Sequence, residues 1–156
     1  MSDLVVHSSQ AGCNMQAIKR RKVFVSHSGQ DTWVARQLAR QISRSGATAF
    51  LDEAQIQTGS DFETEILLFL KKADELVVLF TPWALDRPYV WAELGAAWVR
   101  RIRIVVLLHG ITAAELQARP GAPGFLKSKN CHDLNDADKY LKELRVRSVK
   151  RRKKVQ

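Results

Sequence analysis

The sequence from Leu76 to Leu94 reads L-V-V-L-F-T-P-W-A-L-D-R-P-Y-V-W-A-E-L. It begins with a strand-type apolar run, continues through a loop that ends at Asp86 and Pro88, and enters a segment of helical period. In open parallel α/β sheets, ligands bind in the crevice outside the carboxyl ends of the strands. Glu93, in the first turns of the predicted helix, is therefore the first candidate for a functional residue.

The rest of the chain alternates in the same way between short apolar runs and segments of helical period. Strands are predicted at 23–26, 48–51, 76–80, 102–108 and 130–134, and helices at 31–45, 61–70, 89–101, 112–118 and from 137 onward. This order predicts the α/β class, with a doubly wound five-stranded parallel sheet, right-handed crossovers and helices on both faces. The run at 102–108 is apolar enough for a central strand, and the run at 130–134 is expected at an edge.

Length and composition suit a single domain. The chain has 156 residues, and 46% of them are apolar, which is enough for a proper core. We expect the domain to cover 19–147, between a disordered extension at 1–18 and a basic disordered tail at 148–156. The tail is expected to be dispensable for chemistry.

The formal net charge of +9 belongs to the ends of the chain. Residues 19–22 hold four basic side chains and residues 145–154 hold seven, whereas residues 23–144 hold 14 basic and 15 acidic side chains. The run at 145–154 could attract an acidic partner nonspecifically. It contains no aromatic residue on which bases could stack, so specific nucleic-acid binding is not expected.

The sequence favours a cytoplasmic protein. No segment approaches the roughly 20 apolar residues that a membrane span requires, and residues 1–10 lack the basic start and apolar run of an export signal. Cys13 and Cys131 lie in unlike contexts, which suggests reduced thiols and not a disulfide framework.

Several familiar chemistries are excluded by inspection. The chain has no G-x-x-x-x-G-K-[ST] phosphate loop, and the first strand is followed by S-H-S-G-Q-D where a dinucleotide fold would have G-x-G-x-x-G. A phosphate-receiving domain needs acidic residues after the first and third strands, and these positions read S-H-S and T-P-W. No G-x-S-x-G elbow supports a serine hydrolase. The histidines are scattered, so we expect no metal site: they are His7, His27, His109 and His132.

Four boxes of sequence together resemble a known family. They are V-F-V-S-H-S-G-Q-D at 23–31, F-L-D-E at 50–53, V-L-F-T-P at 78–82 and Y-V-W-A-E-L at 89–94. In order and separation they are similar to the successive boxes of a Toll/interleukin-1 receptor (TIR) domain of the bacterial NAD-cleaving type, over roughly residues 22–145. The resemblance implies a flavodoxin-like sheet. It also implies one of two functions, because some members cleave NAD and others only associate with proteins.

The resemblance implies that Glu93 is the catalytic residue. In NAD-cleaving members the essential glutamate follows an aromatic residue by four positions, usually as W-x-x-x-E, and this chain has Tyr89 where tryptophan is usual. One carboxylate is chemically sufficient. Glycosidases need a second one to protonate a departing alkoxide, whereas the pyridinium of NAD leaves as neutral nicotinamide. The apolar stripe of the helix predicts Glu93 at the margin of the buried face, which Trp98 is expected to join.

The other candidate site residues lie at strand ends and in the loops that follow them. The resemblance and their positions suggest that they bind substrate: Ser26, His27, Ser28, Asp52, Trp83, Tyr89 and Trp91. Each also has a structural interpretation. Ser28 with Asp31 has the S-x-x-D pattern of a capping box, and His27 could simply end its strand. Tyr89 and Trp91 could belong to the core. Trp83 is an exposed-loop candidate for stacking on a flat ring, or it could simply close its loop.

The function predicted from the resemblance is hydrolysis of NAD, as substrate and not cofactor, to nicotinamide and ADP-ribose or a cyclic ADP-ribose, in bacterial defence or signalling. Members of this type become active on self-association, and by resemblance the loop Asp52 to Ser60 would complete the crevice of a neighbouring copy, so open filaments are possible. A non-catalytic interaction module is the alternative. A third class, base exchange or deoxyribosyl transfer on nucleosides, would consume free nucleosides in the absence of NAD.

Overall fold

The computed structural model describes residues 20–51, 64, 68, 70–128 and 131–153. The strands in this part of the chain are β1 Lys22–Ser26, β2 Thr48–Leu51, β3 Glu75–Phe80, β4 Arg103–Leu108 and β5 Cys131–Asp133. The helices are α1 Thr32–Arg44, α2 Pro88–Val99, α3 Ala113–Ala118 and α4 Ala137–Lys153. Each predicted strand is confirmed within one residue at either end. Most of the helix predicted at 61–70 lies outside the described residues, although residues 70–72 are helical.

The strands form a parallel sheet in the order β2-β1-β3-β4-β5. The predicted α/β class and the doubly wound parallel sheet are confirmed. The chain leaves β1 for β2 on one side and then crosses to β3 on the other, so the order of strands reverses between β1 and β3. In flavodoxin-like sheets this reversal opens the crevice in which ligands bind. The strand predicted to be central, β4, lies one place away from the centre, which β3 occupies.

Alternation of side chains along the strands builds a core on each face of the sheet. Phe24 lies in the core that α2 and α3 cover, whereas Val23 and Val25 lie in the core that α1 and α4 cover. All six residues of β3 are buried. The first of them, Glu75, is a charged residue with no exposed surface.

A cluster of charges around Glu75 ties α4 to the amino-terminal edge of the sheet. Arg147 donates from Nε to Glu75 Oε1 at 3.0 Å and from Nη2 to Oε2 at 3.1 Å, and Arg21 Nη1 lies 3.3 Å from Oε1. The hydroxyl of Tyr140 donates to Oε2 at 3.2 Å. Burial, reinforced by the charge of Glu75, raises the pKa of Tyr140 well above its usual range, so the hydroxyl keeps its proton.

The last helix extends further than the sequence predicted. Residues 148–153, assigned to a disordered tail, continue α4, and the prediction of disorder is wrong for them. Ser148 is buried, and Arg147, directly before it, is engaged with the carboxylate of Glu75. The density of basic residues predicted a solvated tail. Composition alone could not show that Arg147 pairs with the buried carboxylate of Glu75.

Truncation should therefore separate two parts of the basic run. A chain that ends at Lys153 should keep its stability, whereas a chain that ends at Arg147 should lose about 1–3 kcal/mol, because Arg147 would become a fraying helix end and its pair with Glu75 would weaken. Urea denaturation of both chains measures the difference. Equal midpoints would mean that the residues after Arg147 add nothing to the fold.

Candidate functional site

Three consecutive polar residues lie where β1 ends, at the point where the strand order reverses. Ser26, His27 and Ser28 have exposed fractions of 0%, 4% and 1%. Ser26 is in register with Val78 of β3, so the carboxyl ends of β1 and β3 lie side by side. Burial of three consecutive polar side chains is unusual, because burying a polar side chain costs more free energy than burying an apolar one.

The side chain of Ser26 faces the α2 side of the sheet, because it alternates in step with Phe24, which lies in that core. Within the described part of the chain, its hydroxyl is buried and has no hydrogen-bond partner. A hydroxyl can donate one hydrogen bond and accept two. Ser26 therefore carries unused hydrogen-bonding capacity at the carboxyl end of β1.

Glu93 lies on the face of α2 that packs against the same side of the sheet. It is 2% exposed and shares the buried face of the helix with Val90, Leu94 and Ala97. The predicted position at the margin of this face is wrong, since the carboxylate is in the core-facing stripe. Burying a carboxylate carries a free-energy cost, and buried ionisable groups of this kind are concentrated at functional sites.

Two aromatic candidates are exposed near the entry to this region. Tyr89, one helical turn before Glu93, is 50% exposed, and Trp83, in the loop after β3, is 55% exposed. The exposure of Trp83 agrees with its prediction as an exposed loop residue. Both rings are accessible for stacking on a flat ligand.

Trp91 does not join this group. Its indole Nε1 donates to the carbonyl oxygen of Leu85 at 2.9 Å, and its ring packs 5.0 Å from that of Phe80. It lines a separate cavity of about 290 Å³ beside the ion pair of Asp86 and Arg119. Residues two apart on a helix point in opposite directions, which explains why the structure separates Trp91 from Glu93.

A polar link joins the loops that follow β1 and β3. Thr81 Oγ1 donates to Asp31 Oδ2 at 2.6 Å and accepts from the backbone N–H of Ala84 at 3.1 Å. The predicted capping box of Ser28 and Asp31 is wrong, because neither side chain caps a helix. Ser28 Oγ instead donates to Gln30 Oε1 at 2.7 Å. The pattern was misread because nothing local reveals a partner 50 residues away.

Arg87 is a residue of this region that the sequence did not single out. Its Nη2 donates to Gln30 Oε1 at 3.0 Å, so an exposed cation before α2 reaches across to the loop after β1. Gln30 therefore connects Ser28 and Arg87 through one oxygen. In the sequence, Arg87 lies in the loop between a predicted strand and a predicted helix, and nothing else there marks it as a functional residue.

The fold and the position of these residues agree with a match to a sequence family. The family model for the TIR domain matches residues 23–145 of the chain. The chain belongs to the TIR domain family.

Solved structures of similar fold are consistent with this assignment. The TIR domain of the Toll-related receptor TRR-2 from Hydra magnipapillata is 18% identical, with a TM-score of 0.62 over 79% of this chain and 97% of that one. The TIR domains of the activated Roq1 resistosome, which recognises the pathogen effector XopQ, are 18% identical, with a TM-score of 0.57 over 85% and 84%. A conserved protein from Enterococcus faecalis V583 is 17% identical, with a TM-score of 0.58 over 83% and 99%. No curated protein sequence matches the chain.

Three predictions for this TIR domain remain, and they concern His27, the loop that begins at Asp52, and Trp98. His27 Nδ1 lies 3.3 Å from the carbonyl oxygen of Val25, an arrangement that suits a strand-end histidine. Asp52 and the loop to Ser60 lie outside the described residues. Trp98, expected in the core, is 52% exposed and stacks on Phe125 with ring centroids 4.9 Å apart. The expectation for Trp98 is wrong, because its ring leaves the sheet-facing stripe to cover a loop.

Two further features are absent from the described part of this TIR domain. No group of three or more His, Cys, Asp or Glu side chains in that part is placed to hold a metal ion. None of its helices combines the length and apolar character that crossing a bilayer requires.

Proposed function

We propose that this TIR domain is a cytoplasmic NAD glycohydrolase that uses Glu93 to cleave the bond between nicotinamide and ribose. The observation that carries the proposal is the burial of the Glu93 carboxylate, 2% exposed, on the sheet-facing side of α2. Sequence resemblance selects the same residue independently of its burial. The products would be nicotinamide and ADP-ribose, in linear or cyclic form.

The proposed reaction requires one carboxylate positioned to act on the ribose. As nicotinamide leaves, positive charge develops on the ribose, and an anion held in a site of low dielectric stabilises that charge more strongly than it would in water. Ser26, whose buried hydroxyl has no partner among the described residues, is suited to hold a ribose hydroxyl on the same side of the sheet. Its role in the proposal is to position the sugar.

The groups at the entry suit the rest of the dinucleotide. The exposed ring of Tyr89 or Trp83 offers a surface on which nicotinamide or adenine can stack. Arg87, an exposed cation held by Gln30, offers charge for the diphosphate. In the proposal, self-association through the TIR domain completes the site and raises activity.

A non-catalytic interaction module is the second candidate. Exposed aromatic residues favour it, since Trp33 on α1 is 71% exposed and could serve as an anchor for another protein. This role would leave the buried carboxylate of Glu93 without a task. The glycohydrolase is therefore the better-supported function.

The test is an assay of the purified full chain with NAD over a wide range of protein concentrations, with and without a crowding agent. We expect release of nicotinamide, and a specific activity that rises with protein concentration, because association orders the site. Chromatography of the products distinguishes linear from cyclic ADP-ribose.

Three outcomes would contradict parts of this proposal. Absence of nicotinamide under every condition would favour the interaction module. A constant specific activity from dilute to crowded solution would mean that the site is complete within one chain. Consumption of free nucleosides without NAD would indicate a nucleoside-directed transferase.

A further inference from the structure

Strand β2 forms one edge of the sheet. It pairs in parallel with β1 through Thr48 to Leu51, and on its other side no strand of the described residues is present. An edge strand presents backbone N–H and C=O groups to which an extended peptide can add as a further strand. The residues of β2 are all only partly buried, so the edge is accessible within the described part of the chain.

A row of arginines on α1 runs beside this edge. Arg36, Arg40 and Arg44 are exposed and recur every four residues along one flank of the helix. They line a groove of about 410 Å³ between the helix and the strand. The rest of the lining is small or apolar: Ala39, Ser43, Ala49 and Leu51.

Among the described residues, the side chains that line the groove carry charge of one sign, and none of them is acidic. Within the described residues the only side-chain hydrogen bond of the three arginines is from Arg40 Nη1 to Gln37 Oε1, at 3.3 Å. The guanidinium groups are therefore available to carboxylates, with which arginine forms bidentate pairs.

The spacing of the arginines suits an extended chain. Residues four apart on a helix are about 6 Å apart along its axis, and alternate residues of a strand are about 6.7 Å apart. Ala49 and Leu51 lie on the α1 side of β2, because they pack against the core that α1 covers. Alternate side chains of an added strand would point to that same side and meet the arginines in sequence.

We infer that the edge of β2 and the arginine row of α1 form a docking site for an extended acidic segment of a partner protein, with Asp or Glu at alternate positions. The segment adds to β2 through its backbone and pairs its carboxylates with Arg36, Arg40 and Arg44. A peptide fits better than a nucleic acid, because the groove has a strand edge and its described lining residues include no aromatic ring on which bases could stack. The inference does not depend on the proposed NAD cleavage.

The test measures binding of short fluorescent peptides to the full chain by anisotropy at about 0.15 M salt, so that weak surface attraction is screened. One peptide alternates Glu with Val. A second has the same composition with its glutamates in one block, and a third has the alternating sequence with N-methylated backbone amides. We expect the alternating peptide to bind at least about tenfold more tightly than either of the others.

Variants identify the surface. The triple change Arg36→Gln, Arg40→Gln and Arg44→Gln should weaken binding about tenfold or more, whereas the matched control Arg145→Gln, on an exposed position of α4, should leave it unchanged. Glutamine is a good helix former, so the triple variant should fold, and thermal melting followed by circular dichroism checks this. Amide exchange at Thr48 to Leu51 should slow when the peptide is bound.

Several results would overturn the inference. If the N-methylated or block peptide bound as tightly as the alternating peptide, nonspecific charge attraction alone would explain the binding. Loss of binding in Arg145→Gln equal to that in the triple variant would place the contact elsewhere. Tighter binding of a single-stranded oligonucleotide of equal charge, or no binding of any peptide, would also reject it.

Discussion

Glu93→Gln should abolish NAD cleavage, with turnover falling by about a thousandfold or more. Glutamine keeps the shape of the side chain but not the negative charge that the proposed mechanism uses against the developing positive charge on ribose, and removing one preorganised electrostatic group commonly has an effect of about this size. Steady-state release of nicotinamide, at saturating NAD and at one high protein concentration, measures it.

The same change should leave the fold intact. Because Glu93 is buried beside Val90 and Leu94, a change to alanine would leave a cavity and confuse lost activity with lost stability. The isosteric glutamine should alter the free energy of unfolding by no more than about 1 kcal/mol. Glu143→Gln, at an exposed helical position on α4, serves as the matched control and should keep full activity. Retention of cleavage in Glu93→Gln would remove this residue from the mechanism.

Glu75→Gln should destabilise the domain by about 3 kcal/mol and lower Tm by about 6–12 °C, because it removes the buried anion to which Arg147 and Arg21 are paired. Breaking one side of a buried ion pair leaves the remaining charge without compensation, which is the expensive case. Urea denaturation and calorimetry of the purified variant measure the change.

Glu143→Gln is again the control, because Glu143 pairs with the same arginine, at 3.2 Å, from a position whose side chain is 60% exposed. Solvent screens that pair, so its loss should change stability by less than about 1 kcal/mol. Equal effects of the two changes would mean that burial of Glu75 does not strengthen its pairing. A fully stable Glu75→Gln variant would show that the cluster does not hold α4 in place.

The elements of the fold were predictable to different degrees. Strands β1 to β5 could be located because each is a short apolar run between turn residues, a signal carried by neighbouring positions. The end of α4 could not, since the continuation past Arg147 accompanies an ion pair with Glu75, 72 residues away. Glu93 was selected from the sequence as the candidate, but its burial was not predicted, because apolar periodicity assigns a charged residue to the margin of a helix face.

The same distinction between local sequence and distant partners applies to the candidate site. The sequence by itself determined the α/β class and the family and singled out Glu93 as the candidate, because these depend on local periodicity and on the order and spacing of short boxes. Only the tertiary structure decided that Ser26 lies buried on the α2 side of the sheet, that Trp91 lies apart from Glu93, and that Asp31 binds Thr81 and caps no helix. The reason is physical: a side chain's direction and partner are set by which strands and loops become neighbours, and that information is spread over residues far apart in the chain.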